Sequence, residues 1–149
     1  MSSHREYMEI ALEEAAIASR HGDVPVGAVL VRQGKIVARD HNRRTETADP
    51  SAHAEVLVLR KAATRAFDWR LTDATLYVTM EPCPMCAGAI KHARVETVVY
   101  GASDPDAGAG GSAYNILEDK RLNHTVKVLA GVMESECRSL LQRFFDGLR

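Results

Sequence analysis

The run Glu81-Pro82-Cys83-Pro84-Met85-Cys86, taken with His53-Ala54-Glu55 thirty positions upstream, limits what this chain can fold into. If Pro82 and Pro84 lie in the first turn of a helix, where proline sacrifices no hydrogen bond, Cys83 and Cys86 fall on one helix face. The positive end of the helix dipole favours thiolate over thiol there. Two thiolates and one imidazole make a soft, three-donor set suited to zinc, which takes four ligands. Three protein ligands plus one open position is the catalytic arrangement; a structural zinc site is closed by a fourth protein ligand.

The thiol pair alone admits other readings: a redox couple, or half of a structural zinc site with His53 as a core histidine. A redox couple has no need of the upstream His-x-Glu, and the one spare cysteine, Cys137, lies on the apolar stripe of the last helix as a small buried hydrophobe. His53 and Glu55, two apart, cannot face one ion as a helical pair. That spacing lets His53 bind the metal while Glu55 approaches the metal's water from the flank, as a proton shuttle.

The rest of the chain reads as alternating strands and helices. Ser3-His4-Arg5-Glu6 is a capping box, and Met8, Leu12, Ala15 and Ala16 repeat at helical spacing up to His21-Gly22. Val26 to Val31 predicts a strand, Gln33-Gly34 a turn, and Ile36 to Arg39 the return strand of a hairpin. Residues 40 to 51 are polar and irregular, with Asp49-Pro50 predicted as N-cap and first position of a helix reaching Arg65. Strands follow at 75–79, 95–100 and 125–129, with a helix from the cysteine motif to His92 and a closing helix from Met133 to Leu148. Ser103 to Ser112 is a Gly-, Asp- and Ala-rich loop with room for a short helix through Leu117. This order predicts an α/β architecture, a mixed sheet of about five strands with helices on both faces and ligands where strands hand over to helices.

At 149 residues the chain is long enough for one domain with its own core, 1–149. A net charge of −1 supplies no bulk positive field for a nucleic acid, leaving only a local basic patch for that purpose. No run has the length of a membrane span, and the first thirteen residues lack the apolar core of a signal peptide. Three cysteines, two of them in a close pair, suit a reducing compartment. A cytoplasmic location is expected.

The two halves His53-Ala54-Glu55 and Pro82-Cys83-Pro84-Met85-Cys86 match the H-x-E…P-C-x-x-C signature of zinc nucleobase deaminases. Within that superfamily the chain resembles the bacterial tRNA-specific adenosine deaminases. The resemblance runs through residues 24–29, Asn42-Arg43, 49–55, 76–79, Cys86-Ala87-Gly88-Ala89-Ile90, Leu122-Asn123-His124 and Phe144-Phe145. It implies the three-layer α/β/α cytidine-deaminase-like fold and one zinc ion per subunit, held by His53, Cys83 and Cys86. It also implies hydrolytic deamination of adenosine to inosine at the wobble position of a tRNA anticodon. Zinc-activated water would attack C6 of a flipped-out adenine, with Glu55 as the catalytic proton shuttle. A homodimer framing the tRNA groove, and no organic cofactor, follow from the same resemblance.

For substrate contacts the resemblance points to Asn42 on the target base, the Ala54 amide on the base or water, and Asp104 and Asn123 near the anticodon nucleotides. Arg43-Arg44, Lys120-Arg121 and Arg149 are the phosphate candidates, and Phe145 could stack on a splayed base. Each also has an ordinary reading: Asn42, Asp104 and Asn123 as turn formers, the arginines and lysine as solvated charges, Phe145 as core. Trp69 reads as structural. Two further hypotheses stay open, a related deaminase of a free base or nucleotide and a noncatalytic zinc scaffold, against which Glu55 argues.

Overall fold

The computed structural model describes residues 3–122 and 124–148. The Ser3 hydroxyl accepts the Glu6 amide and opens α1 (His4–Arg20), which buries Met8, Ala11, Ala15 and Ala18 in a stripe. The hairpin is β1 (Gly27–Arg32) and β2 (Lys35–His41), followed by a one-turn α2 (Arg44–Thr47) and α3 (Ala54–Ala66). Then come β3 (Ala74–Met80), α4 (Pro84–His92), β4 (Thr97–Ala102), β5 (Lys127–Leu129) and α5 (Glu134–Asp146).

The sheet order is β2-β1-β3-β4-β5, with β1 antiparallel to both neighbours and β3, β4 and β5 parallel. Helices α1 and α5 pack on one face and α3 and α4 on the other, giving the expected three-layer α/β/α fold. Gly27 brings α1 onto β1: a Cβ there would stand 2.0 Å from the Ala11 carbonyl oxygen. Because β1 runs against β3, the segments before β1 and after β2, β3 and β4 emerge at one end of the sheet.

Three local expectations change. Strand β2 is longer than its apolar run: Asp40 and His41 extend it, and their side chains lie in a buried polar network with Glu14 and Lys61. Asp49 does not cap a helix. Its carboxylate accepts the Ser51 amide and hydroxyl, closing a local turn, and α3 begins four residues later with His53 at the N-cap. Between Ser103 and Leu117 there are turns and a single Gly110–Asn115 bridge in place of a short helix.

Candidate active site

Strand β3 delivers Glu81 and Pro82 into α4, whose N-cap is Cys83 and whose first residue is Pro84. The N-cap of α3 is His53, and both caps are extended, which turns their side chains out of the helices toward each other. His53 Nδ1 lies 3.7 Å from Cys83 Sγ and 3.5 Å from Cys86 Sγ, and the three donor atoms fall within 4.8 Å of one another. Zinc bonds of about 2.3 Å to sulfur and 2.0–2.1 Å to nitrogen, at tetrahedral angles, require an S–N separation of about 3.6 Å. The donor set fits the metal in chemistry and in spacing.

The electrostatics agree. A hydrogen bond from Cys86 holds the Cys83 thiol down, to about 4, against its burial and with help from His53. Cys86 is pushed up by its bond to Cys83 and by burial, while His53 is raised by Cys83. Glu55, the second residue of α3, is 3% exposed, and burial pushes its carboxyl up to about 7 against the pull of His53. A carboxyl with that midpoint can hold or release a proton near neutral pH.

His53, Glu55 and Cys83 line a cleft of about 260 Å³ with Asn42, Arg44 and Asp104. The structure therefore brings six of the expected residues together, and Cys86 lies buried behind them. Asn42 leaves β2 and braces the cleft with both ends of its amide: Oδ1 accepts the Ala54 amide at 2.8 Å and Nδ2 donates to the Val24 carbonyl at 3.0 Å. One N–H and one lone pair remain for a substrate edge. Ala54 itself is fully buried, and its amide is held by Asn42 at the edge of the cleft. Asp104 donates its amide to Glu81 and accepts the Asp106 and Ala107 amides on its carboxylate.

Arg44 is steadied by Asp23 at 3.4 Å, whereas Arg43 is occupied by Asp40 at 2.8 Å and Glu46 at 2.5 Å. Arg121 pairs with Asp119, and Lys120 is exposed. Phe145 packs edge-on against Phe144 and does not line the cleft. Asn123 and Arg149 lie outside the described residues. Sequence reasoning missed Val24, Val26, Met80 and Ala107 as cleft walls, and Glu81 as more than a motif letter. Val24-Pro25-Val26 carries no chemical signal; only the antiparallel pairing of β1 with β3 brings it to the metal end.

The layered sheet with a His–Cys–Cys donor set and a flanking glutamate defines a deaminase of the cytidine-deaminase-like class. A family model described as MafB19-like deaminase matches residues 2–149. The tRNA-specific adenosine deaminase of Bacillus subtilis (strain 168) is 50% identical over 149 residues, covering 100% of this chain and 92% of the relative. A structure solved in studies of A-to-I editing by tRNA:A34 deaminases at the wobble position of transfer RNA superposes with a TM-score of 0.87. It is 44% identical and covers 90% of this chain and 97% of its own. The guanine deaminase of Nitrosomonas europaea shares the fold at 22% identity, with a TM-score of 0.84 over 97% of this chain and 85% of its own. The chain belongs to the tRNA-specific adenosine deaminase family.

Proposed function

We propose that this chain, as a single deaminase domain over residues 1–149, hydrolyses adenosine to inosine at wobble position 34 of a tRNA anticodon, releasing ammonia. The observation that carries the reading is the buried Glu55 carboxyl beside the His53–Cys83–Cys86 donors in a purine-sized cleft. His53, Cys83 and Cys86 would hold one zinc ion per subunit, whose Lewis acidity makes water nucleophilic near neutral pH. Glu55 would take one proton from the water that adds to C6 and pass it to the ring nitrogen, then carry the second proton, from the new C6 hydroxyl, to the amine that leaves as ammonia. The remaining N–H and lone pair of Asn42 orient the purine edge, Arg44 meets a phosphate, and Asp104 meets an adjoining nucleotide.

The reading includes a homodimer. An apolar groove between α3 and α4, lined by Leu59, Ala63, Trp69 and Ala89 among others, supports a second copy there, and Phe67 beside it is 98% exposed. It also includes a cytoplasmic location, where tRNA is met; no described helix is long and apolar enough to cross a membrane.

The test is turnover by the zinc-loaded protein on an anticodon stem-loop with adenosine at position 34, beside a panel of free bases, nucleosides and nucleotides. Inosine in the stem-loop and a silent panel is the expected result. Activity on a free compound with an untouched stem-loop would overturn the tRNA assignment and leave the site chemistry standing.

A further inference from the structure

Glu81 follows the last residue of β3 and precedes Cys83 by two, is 3% exposed, and among the described residues makes no ion pair. Its carboxylate is instead filled by one loop. Oε1 accepts the Asp104 amide at 3.0 Å and the Ser112 hydroxyl, and Oε2 accepts the Gly110 amide at 2.9 Å and the Ser112 amide at 3.1 Å. The four donors span residues 104 to 112, a stretch without helix or strand whose two ends this one acceptor ties together. Gly108 closes against the same group: a Cβ there would stand 2.3 Å from Glu81 Cδ. Asp104 and Ala107, both held in this wrap, line the cleft together with Asn42 and Arg44.

We propose that Glu81 is a positioning residue for the substrate: it fixes the loop 103–112 as a wall of the cleft, tied to the segment that leads from β3 into the cysteine helix α4. The inference rests on the deaminase reading. A carboxylate suits the task because its two oxygens offer about four acceptor sites and no donor. Glutamine in its place would turn an N–H₂ toward groups that are themselves donors, at the cost of unsatisfied buried amides. The wall would shift while His53, Cys83, Cys86 and Glu55 stay where α3 and α4 put them. Binding should suffer, and the chemical step should not.

The experiment compares zinc-loaded wild type, E81Q and S112A on the anticodon stem-loop, with metal content and amide hydrogen exchange at Asp104, Gly110 and Ser112. E81Q should raise KM about tenfold with kcat within about threefold, keep its zinc, and lose protection at those amides. S112A gives up one donor of the four and should raise KM by a smaller factor, and it carries the test if E81Q does not fold. An unchanged KM, a fall confined to kcat, or loss of zinc from E81Q would each overturn the assignment. If wild type is silent on the stem-loop, the tRNA reading falls. The exchange data still decide this one: full protection of Gly110 and Ser112 in E81Q would refute the clamp.

Discussion

His53 and Glu55 stand in different settings because a helix boundary runs between them. His53 is the N-cap of α3, with extended backbone, and Glu55 is already inside the helix. The spacing suggested separate roles, ligand and shuttle, from opposite sides of one helix; the structure separates the two residues by the cap instead. Replacing Glu55 with alanine should leave the zinc stoichiometry intact and lower turnover by about 10²- to 10⁴-fold, the usual span for a positioned acid–base group. His53→Ala and Cys86→Ala should instead lose the metal. Metal analysis beside stem-loop turnover separates the two roles; a full zinc equivalent in both ligand variants would refute the donor set. Asn42 was expected as a substrate contact, and it lines the cleft. Its bracing of Val24 and Ala54 was not legible, because those partners come from two segments that meet only in the folded sheet.

Among elements, β2 departs most from a reading by apolar pattern. Its last residues, Asp40 and His41, are polar yet 2% and 4% exposed, and sequence periodicity assigns such residues to a loop. They belong to the strand because α1 and α3 bring Glu14 and Lys61 to them: Asp40 takes Lys61 and Arg43, each at 2.8 Å, and His41 takes Glu14 at 2.8 Å. The α3 boundary failed for a related reason, since Asp49 had a closer partner in Ser51 than any helix amide. The α1 cap and the cysteine helix were legible because their signals are local. The network has a pH consequence. Burial raises the Asp40 pKa, but the bonds from Lys61, the His41 amide and Arg43 outweigh it, and the folded value lies below the unfolded one, about 3.9. The resulting stability is fully present above that unfolded value and is lost as pH falls through the folded value. Asp40→Asn should cost about 1–3 kcal/mol at neutral pH, discounted because Lys61 and Arg43 are partly exposed. It should also flatten the acid limb of urea midpoints measured from pH 6 to pH 3. Parallel limbs in both proteins would remove Asp40 from the account.

For the whole molecule, Trp69 is where surface and sequence part company. It was read as structural, yet it is 58% exposed, with the guanidinium groups of Arg70 and Arg94 5.5 and 5.7 Å from its ring centroid. With Phe67 it extends the apolar floor between α3 and α4, the helices whose N-termini carry the metal donors. A second copy seated there would lie against the same pair of helices that hold the site, and would need about 800 Å² from each partner for a stable dimer. It would also enlarge the surface offered to RNA, which matters for a chain whose net charge of −1 gives no long-range attraction. Ala63 lines the groove, more than two helical turns beyond Glu55. Ala63→Glu places a carboxylate in the contact without touching the donors, and the cost of burying an unpaired charge should split the dimer. Sedimentation should show two chains per particle for wild type and one for the variant, both loaded with zinc. A monomeric wild type, or a variant that stays paired, would refute the groove as the interface. If the separated variant also loses turnover on the stem-loop while keeping its metal, the partner helps to frame the RNA; undiminished turnover would make each subunit sufficient alone.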